Sequence, residues 1–298
     1  MTTPEANARA HTGAHTGADI AACDHEGRPL PCADCRHRDW LASGACQPGR
    51  ACVHDRYARR IDRFFAWHPY LAADYLEHPY FEVRAIAARH APVFCLPPLL
   101  DDPDETVRWS AAARLPQSYL LPLRADPHRE VRIRVAHRLN GEALEAMTRD
   151  ADYYVRLVVA RRLPQARLGL LLGDPEPQVR RELALRLTPE RLLCLAADDD
   201  AEVRLEVARR LPQALLVWMS ADADWRVRYA VAERLPVAQL AALTADADPM
   251  VRALAQERCA VDATPDDARA ASAVEEPGMR PEPLSAFWRF PAGGNPDG

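Results

Sequence analysis

The chain has 298 residues, is 48% hydrophobic and carries a formal net charge of -5, and every one of its 38 strong bases is arginine. A buried core is well within reach of that composition, whereas no apolar run approaches the ~20 residues of a membrane-spanning helix and Met1 to Ala22 lacks the apolar stretch of a secretory signal. Residues 1–77 hold nine Arg against ten acids, 78–259 twenty-six of each and 260–298 three against seven, so the body of the chain lacks the basic excess of a phosphate-backbone binder and a cytoplasmic protein is expected.

Residues 1–22 read as a flexible polar tail. Five of the eight cysteines follow at Cys23, Cys32, Cys35, Cys46 and Cys52. Their core is Cys32-x2-Cys35-x10-Cys46-x5-Cys52, and Gly27, Pro29, Pro31, Gly44, Pro48 and Gly49 make the segment a set of loops. Residues 23–56 are too short and polar to bury a core unaided, so they need a staple. An odd number of cysteines without a sign of export argues against disulfides. Zinc wants four close thiolates or imidazoles, and here only Cys32 and Cys35 form a close pair, with His25, His37 and His54 as substitutes. A 4Fe-4S cluster also takes four thiolates but spreads them over a larger body, which suits wide spacing. Spacing alone ranks iron-sulfur ahead of zinc and leaves both open. Arg28, Arg36, Arg38, Arg50 and Arg56 stand close enough in sequence to offset a cluster's negative charge, and Trp40 and Leu41 are expected to cover one side.

Tyr57 to Trp67 reads as a helix with Tyr57, Ile61, Phe64 and Phe65 on one face. Residues 57–77 are therefore expected to cap whatever follows. From Val83-Arg84 onward a Val-Arg pair recurs every 24 residues, at Val107, Val131, Val155, Val179, Val203, Val227 and Val251, without gap or insertion. Eight strict repeats over 78–260 predict an all-α superhelical solenoid with no need of strands. With Val as position 0, Asp stands at -5 in seven repeats (His78 in the first) and often precedes Pro, which reads as a capped helix start. Pro at +9 ends the helix at Pro116, Pro164, Pro212 and Pro236, among others, and apolar residues at +13 and +16 predict a second, short α or 3-10 segment.

A helical wheel places Arg at +1 in the middle of the apolar arc, where a guanidinium needs a partner. The Asp at -5, in its own or the adjacent repeat, is the natural acceptor. Arg at +7 falls at the polar edge, which makes it a candidate for a binding surface. Replacing Arg162 by Ala is accordingly expected to cost well under ~1 kcal/mol. Cys95, Cys194 and Cys259 read as buried packing residues. Residues 261–298 form a Pro-, Ala- and Gly-rich acidic tail interrupted by Leu284, Phe287, Trp288 and Phe290, expected to fold onto the last repeat.

The 24-residue unit behind a cysteine block resembles the leucine-rich repeat variant family. That resemblance covers residues 23 to about 260 and implies one α-helix and one 3-10 helix per repeat in a right-handed superhelix, with a 4Fe-4S domain in front. It carries the ligands onto Cys32, Cys35, Cys46 and Cys52, leaving Cys23 as a spare candidate. Members occur in nitrogen-fixing bacteria, but no settled activity comes with the resemblance. No set of nucleophile, base and orienter and no Gly-rich phosphate loop is present, so an enzyme is not expected. The reading is an iron-sulfur protein whose repeat scaffold engages an unidentified protein partner in response to redox state. A nucleic-acid-binding repeat protein and a zinc-stapled adaptor without redox role are the alternatives; no membrane partner is expected.

Overall fold

A computed structural model describes residues 21–262. The chain divides into two compact units, Met1–Leu139 and Asn140–Gly298. In the first, the cysteine loops lead into the helix Ala58–Trp67, the 3-10 helix Pro69–Tyr75 and the repeat helices Phe81–His90, Glu105–Ala112 and Arg129–Ala136. The second carries Tyr153–Arg162, Pro177–Arg186, Ala201–Arg210, Trp225–Arg234 and Pro249–Asp262. Short segments, largely 3-10, alternate with these helices, such as Gln165–Leu171 and Gln213–Met219. Among the described residues there is no strand, only two isolated bridges, Cys23 with Pro29 and Gln47 with Ala51. No described helix is long and apolar enough to cross a membrane.

The periodicity of the sequence is the periodicity of the core. All eight Val residues of the Val-Arg pairs are fully buried, as are Leu163, Leu187, Leu211 and Leu235 at +8. The +13 and +16 residues turn inward from the short segments, as Leu168 with Leu171 and Leu216 with Met219. Helices that precede Pro stop at Arg162, Arg210 and Arg234, and the following Leu is extended (ψ near 140°), since proline bars the α region to the residue before it.

The start of each helix differs from expectation. Asp102 and its equivalents do not cap. The N-cap stands two residues later, where Asp104, Asp152, Asp200 and Asp224 accept from Thr106, Tyr154, Glu202 and Arg226 backbone N–H at 2.8, 2.8, 2.9 and 2.8 Å. The -5 carboxylate is occupied otherwise: the arginine of the preceding repeat forks onto it. Within the first unit Arg84 grips Asp102 at 2.8 and 2.9 Å and Arg108 grips Asp126 at 2.7 and 2.9 Å. The second unit repeats this with Arg156 on Asp174, Arg180 on Asp198, Arg204 on Asp222 and Arg228 on Asp246. Each such Asp also accepts a backbone N–H two residues on, for example Glu176 N–H to Asp174 at 2.9 Å. The result is a ladder of buried, bidentate rungs. The fork of Arg228 holds the Asp246 carboxyl below its usual range. A depressed carboxylate stabilises fully above the unfolded value of about 3.9 and loses that contribution as pH falls through the folded value. Acid unfolding of the repeats, followed by circular dichroism, is thus expected only below about pH 4.

The +7 arginines are a second correction. They do not reach out from a polar edge but lie half-buried against the helix of the preceding repeat. Arg234 donates to the carbonyls of Ala208 and Leu211 at 2.6 and 2.8 Å, and Arg258 to those of Ala232 and Leu235 at 2.6 and 2.8 Å. Arg114, Arg186 and Arg210 do the same one repeat back. These are the last carbonyls of a helix, which have no partner inside it and carry its negative dipole end. A wheel drawn on one helix cannot show the neighbouring helix end that the side chain reaches. Arg162 bonds Asn140 at 2.9 Å, so its removal is not expected to be silent. Arg234→Ala should cost about 1–3 kcal/mol by leaving buried carbonyls unpaired. Arg181→Ala, on an exposed side chain, should stay within about 0.5 kcal/mol. Urea midpoints of the two variants check this.

The three cysteines outside the loops are not buried as expected. Cys194 is exposed, because it lies on the outer side of its 3-10 turn, while Cys95 and Cys259 are half-buried. Cys259 stands where Leu211 and Leu235 are covered, but no further repeat follows it among the described residues. The aromatic stretch at 284–290 lies outside the described residues.

Candidate metal centre

The cysteine loops are shaped by short-range hydrogen bonds rather than by regular elements. Asp24 accepts from Glu26 and Arg28 backbone N–H at 3.0 and 2.8 Å, closing a turn that Gly27 completes at φ 81°. The single helical turn Trp40–Ser43 ends at Gly44 in the left-handed region (φ 72°), which turns the chain toward Cys46. A tight loop from Gln47 to Ala51 then delivers Cys52.

These turns bring Cys32, Cys35, Cys46 and Cys52 around one recess, whose wall includes Leu30, Pro31, Leu41 and His54. Cys46 and Cys52 are buried; Cys32 and Cys35 are partly exposed at its rim. Cys23 is buried elsewhere, its thiol 3.6 Å from the Ala21 carbonyl. His37 N–H points at Cys35 Sγ at 3.4 Å. Burial pushes the Cys52 thiol up to about 12 and also raises Cys46, helped by the charges of the neighbouring cysteines. Burial thus favours the protonated thiols at these two positions while nothing is bound.

The floor of the lobe comes from the helix and 3-10 helix that follow. Phe64 is fully buried against His37 and Trp40, at ring separations of 5.2 and 6.4 Å. His37 Nε2 meets Tyr75 OH at 2.6 Å, and burial drops its pKa to about 4. His68 Nε2 contacts the Ala45 carbonyl at 2.7 Å. Buried Asp55 pairs with Arg60 at 3.0 Å. Of the three histidines in reach, His37 and His54 border the recess while His25 stacks on Tyr80 at 4.9 Å. Of the five arginines only Arg38 lines it. Arg28 pairs with Asp24, Arg36 with Asp74, and Arg50 bonds Gln47. Leu41 does border the recess, whereas Trp40 packs beneath the loop. The His37–Tyr75 contact was not legible in the sequence, since nothing in local spacing pairs residues 38 apart.

Comparison with known proteins bears on both parts of the chain. A family model described as the LRV protein FeS4 cluster matches residues 22–74, and one described as the leucine rich repeat variant matches 81–104. A solved structure titled a leucine-rich repeat variant with a novel repetitive protein structural motif aligns at 44% identity over 76% of this chain and 97% of its own, with a TM-score of 0.73. The chain belongs to the leucine-rich repeat variant family. An uncharacterized 27.7 kDa protein in the nifB 3' region of Rhodobacter capsulatus is 54% identical over 81 residues, or 27% of this chain. The match spans 33% of that relative's length. An engineered protein aligns at 17% identity over 70% of this chain and 86% of its own with a TM-score of 0.34, too low to bear on the fold.

The cofactor of this variant's cysteine domain is a 4Fe-4S cluster. The geometry fits it. One zinc ion, with Zn–S near 2.3 Å, draws four sulfurs to about 3.8 Å from one another. Among the described residues no three His, Cys, Asp or Glu side chains converge on a single-ion site. Four thiols around a space rather than a point, with an N–H directed at one sulfur, match the larger body of a cluster. The family match takes in the helix Ala58–Trp67, whose Phe64 packs beneath the cysteine loops.

Proposed function

We propose that this chain is a redox-responsive interaction protein in which Cys32, Cys35, Cys46 and Cys52 ligate the cluster and the repeats engage a protein partner. The observation that carries it is the arrangement of four of the five loop cysteines around one recess, with two at its exposed rim, while Cys23 faces elsewhere. A cluster near the surface exchanges electrons with a docked partner more readily than one in a core. When bound it supplies a one-electron couple; the chain's part is to hold the thiolates, present N–H groups to sulfur and limit water, which together set the potential. We treat residues 23–77 as the cluster lobe, with 57–77 serving both as its floor and as the cap of the repeats at 78–260. A thiolate-ligated cluster with further free cysteines fits a reducing compartment, the cytoplasm. Support for a protein rather than a nucleic-acid partner comes from the arginines: Arg156 at +1 and Arg234 at +7 spend their donors inside the stack, which leaves them unavailable to phosphate. Anaerobic purification should yield about four iron and four sulfide per chain and a reversible one-electron change in the absorbance and electron paramagnetic resonance spectra. Stoichiometric zinc, or a cluster that resists reduction and oxidation alike, would remove the redox role.

A further inference from the structure

The second unit carries an open groove on the side of its short segments. Two adjoining open recesses share Gly173, Asp174 and Pro175. Leu170 borders the smaller and Cys194 the larger. Both stand at +15 of consecutive repeats, and Trp218 holds +15 in the next. All three are exposed, Leu170 by 55% and Trp218 by 40%. An apolar row at one register position that faces solvent does nothing for the core, whose inward residues in the same segments are Leu171, Leu195 and Met219.

Charge selects the occupant. Four carboxylates line the larger recess, at Asp174 and at 198–200, against the single guanidinium of Arg180, whereas Arg149, Arg156 and Asp150 line the smaller. Asp174 and Asp198 are neutralised by the forks of Arg156 and Arg180. Asp199 is exposed with no neutralising arginine fork, and Asp200 spends one oxygen on its helix cap. The larger recess is thus negative along one edge, beside an exposed apolar row. Neighbouring helices pack about 8–10 Å apart, and a polyproline turn of three residues rises about 9.3 Å, so every third side chain of such a peptide meets the next repeat.

We infer that this groove binds an extended, cationic segment of a partner protein, with apolar side chains at every third position against Leu170, Cys194 and Trp218 and an arginine or lysine between them against Asp199 and Asp200. This rests on the interaction-scaffold reading and gives its partner a chemistry and a place.

The probe is a fluorescein-labelled peptide of four Pro-Leu-Arg triplets, titrated by anisotropy onto the full-length, cluster-loaded protein. Saturable binding is expected, weakened about five-fold by Asp199→Arg and about ten-fold by Leu170→Glu, each the loss of one contact of about 1–1.4 kcal/mol. Both positions are exposed, and unchanged thermal unfolding of the variants excludes a folding defect. Bound peptide should also slow iodoacetamide alkylation of Cys194, but not of Cys95, as read by mass spectrometry. Binding that is absent, indifferent to both substitutions, or matched by a Pro-Leu-Glu peptide would overturn the inference. The two readings fail separately: a chain with a redox-active cluster and no peptide binding loses only the groove, and one that binds peptide but holds no cluster loses only the redox role.

Discussion

Cys52→Ser is expected to abolish the cluster, with iron falling from about four per chain to below one, and Cys35→Ser should do the same. Serine is isosteric but its hydroxyl is not deprotonated near neutral pH, so one corner of the cluster would lack an anionic ligand. Cys52 is the most buried of the four. Cys32→Ser and Cys46→Ser should also fall well below wild type, whereas Cys23→Ser should retain full iron, since its thiol faces the Ala21 carbonyl and not the recess. Retention of iron in Cys52→Ser, or its loss in Cys23→Ser with the others intact, would redraw the ligand set. The folding consequence is local. Ala51, Val53 and the Asp55–Arg60 pair are buried against the following helix, so loosening on cluster loss should stop near Ala51 rather than reach residue 56. Limited proteolysis should then cut within about 23–50 and spare the repeats.

The repeat was legible because each of its parts is enforced by an interaction that recurs identically: Val at 0 is buried eight times over, and a 24-residue period survives any amount of local ambiguity. Arg at +1 could be recognised as paired because a wheel on one helix shows it among apolar neighbours. Its partner could not be chosen, and the cap was misplaced, for one reason. Asp102 and Asp104 are the same residue type two positions apart, and only the position of the preceding repeat decides which takes the guanidinium and which takes the helix N–H. The +7 arginines were misread on the same ground, since the carbonyls they satisfy belong to another repeat. In the cysteine lobe the spacing pointed to a metal site, but not to its floor: the His37–Tyr75 contact joins residues that no local pattern relates. Sequence periodicity reports what lies within one unit, and misses what depends on the packing between units.

The ladder offers the largest expected effect on stability. Arg156→Ala removes a fork onto Asp174 at 2.7 and 2.9 Å and a bond to the Asp150 carbonyl at 2.8 Å, all on a side chain 10% exposed. The Asp174 carboxylate, 2% exposed, would keep only the Glu176 N–H at 2.9 Å. An uncompensated buried charge of this kind costs about 3–5 kcal/mol, well above the expected loss for Arg234→Ala. Arg156→Lys should recover little, because a point ammonium cannot donate in parallel to both carboxylate oxygens and reach the carbonyl as well. The double variant Arg156→Ala, Asp174→Asn should cost clearly less than the sum of the single changes, since the charge stranded by one is removed by the other. Urea unfolding of the four proteins measures this directly. Additive costs would mean that solvent already screens the rung, and that the strict recurrence of Val-Arg in this chain has to be explained by something other than the carboxylate one repeat ahead.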